Sequence, residues 1–337
     1  MAAYTTIDDP EAYFQTVIYT GNGSANNAIT LPGDTDMQPD LVWIKNRDAT
    51  DSHCIFDSVR GATKLLSSDA TSAEATDADT LDSFASDGFQ VDADVKVNTN
   101  TEKYVAWCWK ESATAGFDIV SYTGSGSAKT EAHSLSAVPH LMIFKNRTSA
   151  STNWLVYHHK TSTSPEDDYL TLETTDAVGA TTSFLDDTAP TSSVFTVGAN
   201  NNANESSSAQ ITYLWTEKQG FSKFGSHTGN GNVDGPFIYT GFRPAYVIVK
   251  KTSGADAWTL VDNKRGDFPS MNPIDQELYP VATSVEYSEG TGIDFCATGF
   301  KIRSDGGWGN ASGSTYITIA FAEAPFVNSN GVPCNAR

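Results

Sequence analysis

The residue types that most often carry chemistry are scattered in this 337-residue chain. Its six histidines do not recur at equivalent positions, and its four cysteines form no Cys-x-x-Cys pair. That spacing excludes the usual zinc and redox motifs, and we expect Cys108, between two tryptophans, to be a small buried thiol. No nucleophile elbow, His-Glu-x-x-His or Walker pattern is present. We therefore predict that the chain is not an enzyme, and we leave open whether Cys54, Cys296 or Cys334 forms a disulfide.

Acidic side chains are the next candidates, because carboxylate oxygens are the ligands that calcium prefers. Three short pairs offer them: Asp92 with Asp94, Asp167 with Asp168, and Asp186 with Asp187. None lies in a twelve-residue calcium loop, and acidic loops are usually solvated, so we predict no metal and no cofactor. Two carboxylates could also serve a glycosidase, but 41 acidic residues place such pairs close together by chance.

One loop favours binding over catalysis. It reads Asp-Gly-Gly-Trp-Gly-Asn and contains Trp308 and Asn310. A tryptophan among glycines has few neighbours to bury it, and an exposed ring can stack on a sugar face or anchor a protein contact. Alternatively, Trp308 folds back as a lid on its own domain. The equivalent loops earlier in the chain lack an aromatic residue, so a site at Trp308 and Asn310 is specific to this loop.

The charge balance limits the possible partners. The formal net charge is −20, from 41 acidic and 21 basic residues. A phosphate backbone is bound by clustered Lys and Arg, so we predict no nucleic-acid partner. No apolar run approaches the roughly 18 residues of a membrane span, and we predict no membrane insertion.

The elements that must position these residues come from an internal repeat. Residues 104–111 read Tyr-Val-Ala-Trp-Cys-Trp-Lys-Glu, and related segments follow at 211–217 and 317–323. Trp109, Trp215 and Phe321 lie 106 residues apart each time. Three copies of one segment indicate a tandem array. In the first copy of this strand, period-two alternation places Val105, Trp107 and Trp109 on one face, and we predict a half-buried strand with that face inside its own sandwich.

Two further blocks recur in each copy. An opening strand begins at Phe14, Phe117 or Phe221 and stops at a Gly-x-Gly turn, in which glycine provides the positive φ. A second strand follows a proline, and its four consecutive apolar residues predict burial on both faces. In copies one and two this strand ends in Lys-Asn-Arg, which we interpret as a solvated strand end; an anion site is the alternative. Copy two then continues with His158 and His159. Neighbours on a strand point to opposite faces and cannot share one metal, and we expect both on the surface.

These patterns predict an all-β chain of three tandem β-sandwich domains, jelly-roll or lectin-like, of about 105 residues each. No helical period exceeds two turns, and turn residues separate many short strands. The predicted divisions are an N-terminal arm at 1–12, repeats at 13–114, 115–218 and 219–325, and a C-terminal tail at 326–337.

Four motifs together carry a resemblance to a known family: the Tyr-Thr-Gly-Asn-Gly opening, Pro-Asp-Leu-Val-Trp-Ile-Lys-Asn-Arg, Phe-Asp-Ser-Val-Arg-Gly and Tyr-Val-Ala-Trp-x-Trp-Lys. They resemble a domain of virion structural proteins of marine tailed bacteriophages, of the tail-fibre or tail-tip type. The match is close across residues 12–111 and weaker across 117–217 and 221–325, where the Arg-Gly and Trp-x-Trp elements are partly lost.

The resemblance implies a non-enzymatic, oligomeric component at the virion tail or surface. We expect a tail fibre or receptor-binding adhesin that contacts a host surface glycan or protein, with other virion proteins as partners and a homo-oligomer, such as a trimer, as its assembly. The alternatives are a capsid decoration, head-fibre or other purely architectural virion protein, and a polysaccharide-degrading tail enzyme.

Overall fold

The computed structural model describes residues 3–266 and 271–334. It confirms the all-β prediction: every strand pair in the described part is antiparallel, and the sheets pack as sandwiches. The helical elements are short: α1 (Val95–Asn98), α2 (Asn201–Asn204), α3 (Gly307–Asn310) and the 3-10 turns Pro10–Ala12 and Pro165–Asp167.

The strands fall into three series that follow the sequence repeat. Copy one contains β1 (Phe14–Thr20), β2 (Asn27–Thr30), β3 (Leu41–Asn46), β4 (Cys54–Asp57), β5 (Lys64–Ser67), β6 (Ala75–Thr76), β7 (Leu81–Ala85), β8 (Gly88–Val91) and β9 (Lys103–Trp109). Copy two contains β10 (Phe117–Thr123), β11 (Lys129–Ala132), β12 (Leu141–Asn146), β13 (Leu155–His158), β14 (Asp168–Thr171), β15 (Gly179–Ala180), β16 (Val194–Val197) and β17 (Ala209–Trp215). Copy three contains β18 (Ser222–Thr228), β19 (Phe237–Tyr239), β20 (Phe242–Lys251), β21 (Trp258–Asp262), β22 (Ile274–Glu277), β23 (Tyr287–Cys296), β24 (Gly299–Ile302) and β25 (Thr315–Pro325).

Each copy has an inner sheet and an outer sheet; the inner sheet is the larger in copies one and two, and both have four strands in copy three. The inner sheets have the orders β1-β9-β3-β4-β5-β6, β10-β17-β12-β13-β14-β15 and β18-β25-β20-β21. The outer sheets have the orders β2-β8-β7, β11-β16 and β19-β24-β23-β22. The opening strand, the aromatic strand and the proline-initiated strand are therefore neighbours in all three copies. One alignment shifts by a residue, because Ser222, and not Phe221, pairs with Phe321 where Phe14 pairs with Trp109.

The two faces of each inner sheet cover different cores. On β9, Tyr104, Ala106 and Cys108 face the sandwich core of copy one. The opposite face, Val105, Trp107 and Trp109, lies in a second core to which all three copies contribute. The prediction of a half-buried strand whose aromatic face lies inside its own sandwich was therefore wrong. Alternation separates the two faces of a strand, but it does not say what covers each of them.

The three copies surround this shared core in a cyclic arrangement. Trp109 contacts Trp215 and Phe321 with ring centroids 6.3 and 5.6 Å apart, so equivalent residues of the three copies meet at the centre. An apolar cavity of about 30 Å³ lies among them. Its lining is threefold: Leu41, Leu141 and Tyr246; Trp43, Ile143 and Ile248; and Trp109, Trp215 and Phe321, with Ile319. This core joins the repeats into one unit, and their division into separate domains stays a prediction.

The end of the proline-initiated strand faces the neighbouring copy and not solvent, which corrects the prediction of a solvated Lys-Asn-Arg end. Lys45, Lys145 and Lys250 are fully buried, and burial lowers the pKa of each to about 8. The Lys145 ammonium donates to the Thr71 carbonyl of copy one at 3.0 Å, and Lys250 donates to Thr175 of copy two at 3.0 Å. Lys145 and Lys250 thus fasten one copy to the next, whereas the Lys45 ammonium donates to the Asn46 and Ala49 carbonyls of its own copy.

The N-terminal arm is packed against the rest of the chain. Ile7 is 2% exposed and belongs to the shared core. The Tyr4 hydroxyl donates to the Gly241 carbonyl of copy three at 2.6 Å, and Asp8 accepts from the Ser329 amide of the C-terminal tail at 2.6 Å. Residues 335–337 of the predicted tail lie outside the described residues.

Candidate functional site

Asn310 is fully buried and holds a turn. Its side-chain Oδ1 accepts from the backbone amide of Asn230 at 2.7 Å, and its Nδ2 donates to the backbone carbonyl of Asn232 at 2.7 Å. Asn98 and Asn204 make the same contacts with the Gly-x-Gly turns of copies one and two. Because the asparagine is repeated and every amide is engaged within its own turn, we assign Asn310 to turn geometry and not to ligand contact.

These contacts also explain the glycines of the turn. A Cβ at Gly21 would lie 2.1 Å from the Thr99 carbonyl oxygen, and the next glycine, Gly23, has a φ of +65°. The structure thus agrees with the interpretation of Gly-x-Gly as a structural turn.

Trp308 lies on α3 and is half-buried against the sandwich core of copy three. Its indole Nε1 is buried and has no hydrogen-bond partner among the described residues. The ring is therefore less open than its glycine-rich loop led us to expect, and the lid-like packing considered above describes its position. A binding role for the remaining face of Trp308 stays a prediction.

A groove in copy three offers a more accessible surface. It lies between β18 and β19, the edge strands of the inner and outer sheets, and has a volume of about 300 Å³. Phe237 and Tyr239 on β19 line it with 47% and 60% of their surface exposed. By strand register, the equivalent pairs are Ala28 and Thr30 in copy one, and Thr130 and Ala132 in copy two. Two exposed aromatic rings are thus particular to copy three.

The groove arises from a substitution in the opening strand. Val17 and Val120 occupy equivalent positions in β1 and β10. Val17 belongs to the sandwich core of copy one, and Val120 packs against the sandwich core of copy two. Copy three has Gly225 at this position, and Gly225 lines the groove. The missing side chain leaves the edge of this sandwich open. Sequence reasoning missed the site, because the repeated opening motif aligns Gly225 with Ile18 and Ser121, and only the one-residue register shift places Gly225 at the position of the two valines.

The charged groups beside the groove come from two copies. Lys160 of copy two lines it, is exposed, and has no ion-pair partner among the described residues. Lys223 of copy three binds Glu217 at 2.8 Å. The same Glu217 accepts from the Phe224 amide at 3.0 Å, and His159 Nε2 lies 2.7 Å from the Phe224 carbonyl. Both backbone groups of Phe224 on the edge of β18 are thus already engaged.

The two histidines of copy two do not both lie on the surface, so that prediction was wrong. His158 is fully buried at the contact with copy three, with Nε2 3.4 Å from the Thr318 carbonyl. Burial, with His159 next to it, lowers the pKa of His158 to about 3. Burial likewise lowers the pKa of His159 to about 4. Both rings are neutral at pH 7, because a neighbouring copy covers the strand face that would otherwise meet water.

The remaining candidates for chemistry are not grouped into a site. Among residues 3–266 and 271–334, no cluster of three or more His, Cys, Asp or Glu is placed to hold a metal ion. All four cysteines are free thiols, and Cys108 is buried as expected. Burial and the adjacent carboxyl of Asp118 raise the pKa of Glu111 to about 8 at the junction of copies one and two, away from the groove. In the described part of the chain, no helix is long and apolar enough to cross a membrane.

The chain belongs to a family described as a domain of unknown function, DUF7483, whose model matches residues 9–325. The match runs through all three copies, in keeping with their shared core. A search of curated proteins finds no match.

Proposed function

We propose that the chain is a structural protein of a bacteriophage virion, of the tail-fibre or receptor-binding type, and that it contacts the host surface. The observation that carries the adhesin role is the open groove of copy three. The three copies have similar inner sheets and share one core, whereas a pair of exposed aromatic rings on the outer strand, beside Lys160 of copy two, occurs in copy three. A contact surface added to one unit of a repeated scaffold fits a binding protein better than an enzyme. The virion assignment rests on the sequence resemblance across residues 12–111.

Adhesion would be multivalent. Several copies of the chain on one virion would each contribute a weak site, and the effective concentration of the second site would raise the apparent affinity without new contacts. The proposed partners are a host surface glycan or protein, other virion proteins and further copies of this chain in a homo-oligomer such as a trimer. The net charge of −20 supports leaving nucleic acid out of this set.

The test is binding of the purified full-length chain to cells of a panel of marine bacteria, measured by flow cytometry, with isolated surface polysaccharide as competitor. The expected result is saturable binding to some strains at micromolar concentration, abolished by polysaccharide from those strains. Absence of binding across the panel would overturn the adhesin and favour a decoration or architectural protein. Loss of polysaccharide viscosity during incubation would instead indicate the tail enzyme.

A further inference from the structure

Four features of the copy-three groove define what could occupy it. Its floor lacks a side chain at Gly225, and its wall presents two rings two residues apart on one strand, which is about 7 Å. Its volume of about 300 Å³ is at the lower end of the range of about 300–1,000 Å³ for small-molecule sites. At its mouth lies Lys160, which has no ion-pair partner in the part of the chain that the structure describes. The groove therefore offers flat apolar faces with a positive charge beside them.

The rings are held in place without being covered. Tyr239 is 60% exposed, and its hydroxyl lies 3.5 Å from that of Tyr4, which is itself anchored to the Gly241 carbonyl at 2.6 Å. Phe237 contacts the backbone of the neighbouring strand, since a Cβ at Gly299 would lie 2.9 Å from its ring. Pre-positioned rings lose little conformational entropy on binding, which favours stacking with a flat ligand.

An added peptide strand is the other class of occupant for an open sheet edge. Here the edge of β18 is obstructed, because Glu217 and His159 already take the amide and the carbonyl of Phe224. A peptide would have to break both contacts to extend the sheet. A ligand that stacks on side chains needs neither backbone group.

We propose that this groove binds the pyranose rings of an anionic polysaccharide. One or two rings lie on Phe237 and Tyr239, and a carboxylate or sulfate of the chain pairs with Lys160. Lys160 is an exposed lysine at the mouth of the groove, and its positive charge is complementary to a negative ligand. This inference deepens the proposed adhesin function and rests on it for its biological role.

The direct test is isothermal titration of the full-length chain with defined oligosaccharides: a uronate tetramer, a sulfated galactan tetramer and a neutral maltotetraose. Binding of at least one anionic oligosaccharide, tighter than maltotetraose and weakened by salt, is expected. Tyr239→Ala and Phe237→Ala should each weaken it at least tenfold, and Tyr239→Phe should retain it. Lys160→Gln should reduce the preference for the anionic over the neutral ligand. Tyr287→Ala is the matched control, since Tyr287 is a 50% exposed tyrosine on β23 of the same outer sheet.

Three outcomes would overturn the assignment: no binding of any oligosaccharide at millimolar concentration, equal affinity in wild type and both alanine variants, or displacement of the ligand by an extended peptide with β-strand addition seen by NMR. Equal preference in Lys160→Gln would overturn the anionic part. Cell binding separates this inference from the proposed function. If Tyr239→Ala still binds cells like wild type, the groove assignment fails and the adhesin stands. If wild type binds uronate but no cells, the adhesin fails and the groove stands.

Discussion

The contacts between copies differ in a way that the pseudo-threefold arrangement makes easy to compare. Between copies one and two, Asp57 accepts from the Tyr213 hydroxyl at 2.7 Å and also binds Arg60. Between copies three and one, Asp262 accepts from the Trp107 indole at 2.9 Å and binds Arg265 at 2.7 Å. Between copies two and three, the acceptor position holds His158 and the donor position holds Ile319. The third contact therefore lacks both the donor and the acceptor of this hydrogen bond.

A second ion pair follows the same division. In copy one, Glu74 Oε2 pairs with two arginines: Nη1 of Arg60 in the same copy at 3.2 Å and Nε of Arg147 in copy two at 2.8 Å. In copy three, Glu286 likewise pairs with Nη1 of Arg265 in the same copy at 2.9 Å and with Nη2 of Arg47 in copy one at 2.6 Å. At the third contact the equivalent backbone hydrogen bond, from Val178 to Thr252 at 3.1 Å, is kept without either charged side chain.

The buried aspartate, the arginine three residues after it, the glutamate and their partners in the next copy form one network. Two of the contacts have all of its members, and the third contact has none. Removing one member of a buried ionic group leaves its partners charged and unpaired, which costs several kcal/mol, whereas replacing all members together can be neutral. Copy two has Thr161 where the other copies have Arg60 and Arg265, so its arginine is missing along with its aspartate. The third contact shows how a repeat can lose such a group without a stranded charge.

The largest effect should come from breaking one network at its centre. Asp57→Ala leaves Arg60 buried beside an unpaired Tyr213 hydroxyl, and we expect it to lower the free energy of unfolding by about 3–5 kcal/mol. Urea denaturation with linear extrapolation measures this. Asp36→Ala, at an exposed aspartate of the same copy, is the control and should change stability by less than about 0.5 kcal/mol. A loss below about 1 kcal/mol for Asp57→Ala would show that the network is dispensable.

The bond between copies can be removed more gently. Tyr213→Phe deletes only the hydroxyl that donates to Asp57, and because the acceptor is charged and buried we expect a loss of about 1.5–3 kcal/mol. Tyr287→Phe removes a hydroxyl from an exposed tyrosine and should be neutral. If Tyr213→Phe were also neutral, the bond between Tyr213 and Asp57 would contribute little to the contact between copies one and two.

The third contact should respond to acid through His158. The pKa of His158 is about 3 in the folded chain and about 6.5 when unfolded, so the unfolded chain alone takes up a proton between these values. The stability that the neutral ring contributes is complete above pH 6.5 and is lost as the pH falls from 6.5 towards 3. Between pH 8 and pH 5, wild type should lose about 2 kcal/mol more than His158→Gln, which can still donate to Thr318. Equal losses in both proteins would place the acid sensitivity elsewhere.

Much of the secondary structure could be predicted because it depends on local pattern. Alternation located β9, β17 and β25, four consecutive apolar residues identified β3 as buried on both faces, and Gly-x-Gly marked the turns. These signals come from neighbours within a few residues, and tertiary packing leaves them intact.

What could not be predicted depends on partners distant in the chain. Tyr213 and Asp57 are 156 residues apart, and nothing local to Lys145 shows that a carbonyl of another copy will take its ammonium. The same limit explains why Trp107 was assigned to its own sandwich. The site prediction missed the groove for a different reason. Trp308 was chosen because glycines surround it in the sequence. The groove depends on Gly225, and the missing side chain there is recognised only when the strand register places Gly225 opposite Val17 and Val120 of the other copies.

The smallest effect should come from rebuilding the missing ion pair at the third contact. Val178→Glu with Thr252→Arg recreates the arrangement of Glu74 and Arg147, whose side chains are 13% and 18% exposed. Each single variant places a charge beside an uncharged neighbour and should destabilise the chain, and the double variant should recover part of that loss. A double-mutant cycle by urea denaturation should give a coupling energy of roughly 0.5–1 kcal/mol, with a double variant no more stable than wild type. A coupling near zero would mean that the pair at the other contacts depends on Arg60 and Arg265, which copy two lacks. A double variant clearly more stable than wild type would contradict the view that the whole network can be lost at little cost.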